Sequence, residues 1–365
     1  MKVVFRADAS LQIGTGHVMR CLTLADALRE QGETCSFICR SHEGHLLELI
    51  AQRGHHAVAL SIPQAGTARA PVQGEPSHTS WLGTDWNRDA RETRDVLGVD
   101  TVDWLVVDHY ALDSQWERAL RSHCRHIMVI DDLADREHDC DLLLDQNLGR
   151  LPQDYQGLLP ASAMCVTGPQ YSLLRPEFSR WRADSLARRT DPRLKHLLIS
   201  MGGVDKDNAT GCILEALQTL YSLQELRITV VMGPHAPWLQ QVRAQAAQMA
   251  QTVEVLTGIS DMARLMAESD LAIGAAGSTS WERCCLGLPS IMLVLADNQR
   301  GIASSLEQVG AALLLEQHDI GWQLPSLISS LCKSPISLVS MSQKAADIVD
   351  GQGVAAIIEL LESRC

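Results

Sequence analysis

Arg6-Ala-Asp8-Ala-Ser10-Leu-Gln-Ile-Gly14-Thr-Gly16-His17-Val-Met-Arg20 is the stretch whose reading decides the fold. An apolar-centred strand over Lys2–Arg6 leads into it, two glycines make a tight loop, and a helix opens at or just after His17. Apolar residues then recur at helical spacing (Val18, Cys21, Leu22, Ala25, Leu28), and Gly32 is a natural stop. Strand, glycine loop and helix in this order form the opening unit of a doubly wound α/β sheet.

The same rhythm continues outward. Strands are expected at Thr34–Cys39, Trp104–Val107 and His126–Ile130, with helices at Leu46–Gln52 and Asn87–Leu97. Ile62–Trp86 breaks the pattern with Pro63, Pro71 and Pro76, and reads as a surface excursion without an assigned role. An arginine-rich stretch, Tyr171–Pro192, marks the expected boundary. Beyond it come strands at Leu197–Met201, Arg227–Met232, Val253–Leu256, Leu271–Ile273 and Ile291–Leu295, and a final amphipathic helix at about Val354–Glu362. The expectation is α/β architecture, with domains at 1–170 and 190–365. Each would turn the carboxyl ends of its strands towards a ligand cleft between them.

Composition narrows the function. A chain of 365 residues fits two domains of about 100–200 residues each. Lys and Arg number 31 against 44 Asp and Glu, giving a formal charge of -13. That excludes a basic nucleic-acid surface but not an anionic small ligand held at helix N-termini. The 11 cysteines include no C-x-x-C pair, and no local motif supports a metal. The chain opens on an apolar strand without a secretory leader, so the expectation is a reduced, cytoplasmic protein. No run of 18 or more apolar residues appears, so no membrane partner is expected.

The Gly14–Gly16 loop lets a ligand approach the backbone. It is not a dinucleotide fingerprint, because the third glycine position is Met19, and no Lys-Ser/Thr follows to make a P-loop. His17 at the helix start has the chemistry of a general base for water, with Asp8 at the end of the same strand as its orienting carboxylate. The competing reading is that His17 only packs there. Asp8, Asp108 and Asp131 all fall at strand ends, where carboxylates suit sugar hydroxyls and amides, or simply cap the next helix. In the second half, Gly274-Ala-Ala-Gly277-Ser278-Thr279-Ser280-Trp281-Glu282 offers small residues and a helix start to a phosphate. Glu282 can accept both hydroxyls of a ribose. Gly202 and Gly203 form a similar loop, and Asn298 sits at another strand end.

Taken together, these motifs resemble a known family. R-A-D-A-S-x-x-I-G-T-G-H-V-M-R, V-D-H-Y, D-D-L-x-D-R-x-H-D-C-D-L-L-L-D-Q-N, Y-S-L-L-R-P-E-F, M-G-G-x-D, G-A-A-G-S-T-S-W-E and D-N-Q are similar to those of the UDP-2,4-diacetamido-2,4,6-trideoxy-β-L-altropyranose hydrolases of pseudaminic acid biosynthesis. The resemblance spans nearly the whole chain apart from Ile62–Trp86. Its last glycine motif is shared with UDP-sugar glycosyltransferases. It implies a GT-B fold of two Rossmann-like domains, the first for the sugar and the second for UDP. It also implies a monomer that hydrolyses the anomeric C–O bond with inversion, using water and no metal or cofactor. By motif, His17 matches the water-activating base, Asn298 a substrate-binding position, Arg175 a ligand-contacting arginine and Glu282 the ribose-binding glutamate. Ile259 would supply backbone contacts to uracil. The expected substrate contacts are then Gly14, Gly16, Asp108, Tyr110, Arg175, Gly202, Gly203, Ile259, Gly277, Ser278, Thr279, Glu282, Asn298 and Gln299, with His17 and Asp8 catalytic. The alternatives are a MurG-like UDP-sugar glycosyltransferase and a non-catalytic nucleotide-sugar binding module. A dehydrogenase is disfavoured by the broken glycine fingerprint.

Overall fold

The structure, a computed structural model, describes residues 1–62, 78–99, 101–220, 223–295 and 299–364. The chain divides into two compact units, Met1–Leu173 with Gly353–Cys365, and Leu174–Gln352.

The first unit runs β1 (Lys2–Ala7), α1 (Gly16–Glu30), β2 (Thr34–Arg40), α2 (Leu47–Gln52), β3 (His56–Leu60), α3 (Trp86–Leu97), β4 (Val102–Asp108), α4 (Ser114–Leu120), β5 (Cys124–Ile130), β6 (Leu142–Asp145) and β7 (Met164–Thr167). Its seven strands lie in the order β3-β2-β1-β4-β5-β6-β7, with every ladder parallel. A parallel sheet covered on both faces demands strands that are apolar throughout. β1 meets this with Val3, Val4, Phe5 and Ala7 all buried. Asp85 caps α3 by accepting from the Arg88 N–H at 2.9 Å.

The second unit runs α5 (Pro176–Arg188), β8 (His196–Ser200), α6 (Ala209–Gln218), β9 (Arg227–Met232), α7 (Leu239–Ala246), β10 (Thr252–Thr257), α8 (Met262–Glu268), β11 (Leu271–Ala275), α9 (Thr279–Cys285), β12 (Ser290–Leu293), α10 (Arg300–Gln308), β13 (Ala312–Leu315), α11 (Ile320–Lys333) and α12 (Pro335–Ala346). Its sheet is β10-β9-β8-β11-β12-β13, again parallel throughout. In each sheet the first three strands wind one way and the later ones wind the other, four of them (β4–β7) in the first sheet and three (β11–β13) in the second. This is the doubly wound Rossmann arrangement, with its switch points at β1/β4 and β8/β11.

The expected domain limits shift at two places. The arginine-rich stretch expected as linker contains α5, which belongs to the second unit. Arg182 on α5 donates to the Val349 and Ala346 carbonyls at 2.9 and 2.8 Å. The last helix, α13 (Gly353–Glu362), was expected in the second domain but belongs to the first. Ile357, Ile358 and Leu361 enter the first unit's core, and the Trp104 indole N–H donates to the Leu361 carbonyl at 3.2 Å. An apolar stripe states that a helix face is buried, not which core it completes.

Charge lies beneath the carboxyl end of the first sheet. Arg6, Asp8, Arg40 and Asp89 are all fully buried. Arg6 bridges Asp8 (2.6 and 2.9 Å) and Asp89 (3.1 and 2.7 Å), and Arg40 reaches Asp89 at 2.6 Å and Glu92 at 2.8 Å.

Candidate active site

The first unit's site grows from its switch point, where loops at the carboxyl ends of neighbouring strands diverge. After β1 the chain folds into a short loop closed by a bridge between Ser10 and Gly14. The Ser10 hydroxyl accepts from the Gln12 and Ile13 N–H groups at 3.1 and 2.8 Å. Gly14 sits at φ +82°, a conformation that glycine adopts without steric cost. Gly16 then begins α1 and places His17 in its first turn.

His17 is 8% exposed. Its Nδ1 lies 2.5 Å from Asp108 Oδ1. Asp108 ends β4, and its backbone register partner on β1 is Ala7. Arg20, one turn along α1 from His17, grips the same carboxylate through Nε at 2.6 Å and Nη2 at 2.7 Å, and reaches Asp132 at 2.8 Å. Burial alone would raise the Asp108 carboxyl, but the Arg20 guanidinium and the His17 ring outweigh it and hold the group below the usual carboxylate range. A permanently ionised acceptor at Nδ1 fixes the imidazole with its proton there and leaves Nε2 to take another.

This corrects the expected pairing of His17 with Asp8. Asp8 is fully buried, and both its oxygens are taken by Arg6, with the Arg40 backbone N–H adding a bond at 2.6 Å. Burial would raise its carboxyl, and Arg6 instead pulls it well down. Asp8 anchors the sheet end; Asp108 orients the histidine. Asp131 is likewise structural, accepting from the Leu133 and Ala134 N–H groups at 3.2 and 2.9 Å.

Tyr110, expected only as a substrate contact, lies against the histidine. Its ring meets His17 edge-on at 4.6 Å between centroids, and its hydroxyl donates to Asp132 Oδ2 at 2.8 Å. Sequence reading gave no role to Arg20, Asp132, His78 or Trp81. Arg20 had a signal, since residues three apart share a helix face. His78 and Trp81 lie in the unassigned excursion, where no periodicity points to them; residues 63–77 of that stretch lie outside the described residues.

In the second unit the two glycine loops flank the β8/β11 switch point, and they differ. After β8, Gly202 sits at φ +84°, and a Cβ on Gly233 would overlap the Gly203 carbonyl, so the two loops touch through their backbones. The N–H groups opening α6 are already engaged. The Asp205 carboxylate accepts from Ala209 and Thr210 at 2.9 and 3.0 Å, and Asn208 Oδ1 accepts from Gly211 at 3.2 Å. What the Gly202–Gly203 loop can offer a ligand is therefore its own backbone rather than the α6 amides. The loop after β11 is more open. Ser278 and Thr279 are exposed, and a Cβ on Gly277 would meet nothing within 4 Å. Gly274 makes room for Arg283, which is buried and donates to the Ala275 carbonyl at 2.8 Å and to Ser280 Oγ at 2.9 Å.

Glu282 follows, its side chain 18% exposed, with Arg175 Nη2 at 3.7 Å. Arg175 is itself held by Glu177 at 3.0 Å and lies 5.2 Å over the Phe178 ring. Burial pushes the Glu282 carboxyl up to about 7 against the pull of Arg175 and Arg283. Ile259 is half-buried after Gly258, which sits at φ +66°. Gln299 Oε1 accepts from the Leu295 N–H at 3.0 Å. Asn298 lies outside the described residues. Among the described residues no group of three or more His, Cys, Asp and Glu side chains is placed to hold a metal, and no helix is long and apolar enough to cross a membrane.

Comparison with known proteins fits this geometry. Residues 201–361 match the glycosyltransferase family 28 C-terminal domain. The chain is 26% identical over 311 residues to the UDP-2,4-diacetamido-2,4,6-trideoxy-beta-L-altropyranose hydrolase of Campylobacter jejuni, covering 85% of this chain and 97% of that protein. It is 23% identical over 304 residues to an uncharacterized protein of Methanocaldococcus jannaschii, covering 82% of this chain but spanning only 57% of that protein's length. Among solved structures it superposes on MurG of Acinetobacter baumannii with a TM-score of 0.67 at 18% identity, over 100% of both chains. The fold is GT-B, built of two parallel-sheet α/β domains.

Proposed function

We propose that the chain hydrolyses a UDP-activated diacetamido-trideoxy sugar at its anomeric carbon, releasing UDP and the free sugar with inversion. The observation that carries the reading is the His17 imidazole held through Nδ1 by Asp108 at the first unit's switch point. The likeness to the Campylobacter hydrolase along most of both chains supports it.

In this mechanism the first unit holds the sugar and the second holds UDP. Water gives a proton to His17 Nε2 as its oxygen bonds the anomeric carbon. The bond from that carbon to the diphosphate oxygen breaks, and its electron pair leaves with UDP. Asp108 stabilises the imidazolium that forms. Arg175 and the amides around Ser278 and Thr279 face the departing diphosphate, supplying the electrostatic stabilisation that is usually the largest catalytic term. UDP is a good leaving group, so one base suffices.

The family 28 match and the likeness to MurG favour a second reading, in which an acceptor hydroxyl replaces water. Incubating the purified chain with the UDP-sugar and no acceptor separates the two. Continuous release of UDP with free sugar supports hydrolysis; release that begins only when an acceptor is added supports transfer.

Glu282 gives this reading a pH signature. As the ribose ligand it must be ionised to accept both hydroxyls. With its carboxyl pushed up to about 7, it carries a proton over much of the range below neutrality. UDP affinity is therefore full well above pH 7 and falls as pH drops, by up to about tenfold per unit below pH 7. Titration calorimetry between pH 8 and 6 should show this slope in the native protein. Glu282→Gln should bind more weakly at pH 8 and lack the added slope. An identical slope in both proteins would remove Glu282 from the ribose site.

A further inference from the structure

We infer that the turn Thr79–Leu82 adds a specificity-determining aromatic wall beside His17, and that this wall receives an acylamino substituent of the sugar. The inference rests on the hydrolase reading above and goes beyond it by naming what recognises the substrate's amide groups. Trp81 stacks on Tyr110, with centroids 5.7 Å apart and planes 26° apart. His78 lies 5.3 Å from Tyr110 and 4.4 Å from Trp81. Tyr110 in turn meets His17, so four rings run without a break up to the proposed base.

The turn is fixed in place. Leu82, 1% exposed, plugs into the core on one face of the sheet. The Trp81 N–H donates to the His78 carbonyl at 2.9 Å, and Gly83 closes the turn at φ +69°. Trp81 and His78 are only half-buried, so part of each ring remains open. Carboxylates border the rings. Asp132, 16% exposed, holds the Tyr110 hydroxyl, and Asp135, 44% exposed, acts electrostatically on His78. An acetamido group matches both features. Its flat amide and methyl stack on an aromatic face, and its N–H needs an acceptor at the edge. A hydroxyl at the same carbon offers no face to stack, so the wall separates acylamino sugars from hydroxylated ones.

The test compares kcat/KM for UDP-2,4-diacetamido-2,4,6-trideoxy-β-L-altropyranose with its two counterparts in which one acetamido group is a hydroxyl. The native protein should prefer the diacetamido sugar at one of the two positions by about 10- to 200-fold. Trp81→Ala should reduce that ratio roughly 5- to 10-fold, and Trp81→Phe should keep most of it. A ratio between substrates is independent of the folded fraction, and Trp81→Leu gives the same readout if the alanine variant does not accumulate. Unchanged ratios in Trp81→Ala, or a preference lost equally in Trp81→Phe, would overturn the inference. If the native protein cleaves none of the three sugars, it is the hydrolase reading that fails.

Discussion

His17→Ala is expected to lower kcat for the UDP-sugar by about 10²–10⁴, the usual contribution of a positioned general base. UDP binding should survive, because the residues proposed to hold UDP all belong to the second unit. The argument is geometric. Of the two ring nitrogens, Nδ1 is committed to Asp108 at 2.5 Å, so a variant without the ring loses the proton acceptor and leaves the rest of the first switch point standing. Steady-state kinetics with UDP affinity measured in parallel checks both halves. Turnover that is unchanged in the variant would remove the mechanism, and UDP affinity that collapses would mean His17 serves the nucleotide instead.

Asp89→Ala should cost about 3–5 kcal/mol of the first unit's stability, the range for breaking a buried ion pair from one side. Asp89 is fully buried and accepts from Arg6 Nε and Nη2, from Arg40 Nη2 and from the Trp116 indole N–H at 3.0 Å. Truncation leaves two guanidinium groups in the core with one counter-charge removed from each. Burial would raise the Asp89 carboxyl, but Arg6 and Arg40 hold it low. The stabilisation is therefore present above the unfolded carboxyl's pKa of about 4 and is lost as pH falls through the lower folded value. Urea denaturation followed by tryptophan fluorescence at pH 7 should show an early transition in the variant. A shift below about 1 kcal/mol, the size of an exposed pair, would show that water reaches the network.

Much of the architecture was legible because parallel sheets write themselves as short apolar runs between helical stripes. β9 was expected over the residues it occupies, and α1, β1, β2 and α3 within two residues at either end. The strands that went unread, β3, β6, β7 and β13, have only four or five residues each. Length and periodicity carry too little signal at that size. α13 was read as a helix but assigned to the wrong core, because its partner surface is set by tertiary contacts with Trp104 and the first sheet.

The site divides along the same line. The position of His17 at a helix start was legible from its glycine loop. Its carboxylate was not, because chain order favours Asp8, nine residues away, over Asp108, 91 residues away. Only the pairing of β1 with β4, which sets Ala7 beside Asp108, brings the correct acid to the imidazole. Arg20 was present in the quoted motif, yet its double contact with Asp108 depends on that same strand pairing. The surroundings of the Gly202–Gly203 loop were hidden in a similar way. Asp205 lies three and two residues further on, and nothing in the local spacing shows that its carboxylate turns back onto the α6 amides.

The most direct measurement is the reaction run in H₂¹⁸O without any acceptor, followed by NMR and mass spectrometry of both products. The account predicts free sugar that carries the heavy oxygen at its anomeric carbon and first appears as the anomer opposite to that of the substrate, alongside unlabelled UDP. Heavy oxygen in the phosphate of UDP, or no products until an acceptor alcohol is supplied, would contradict it.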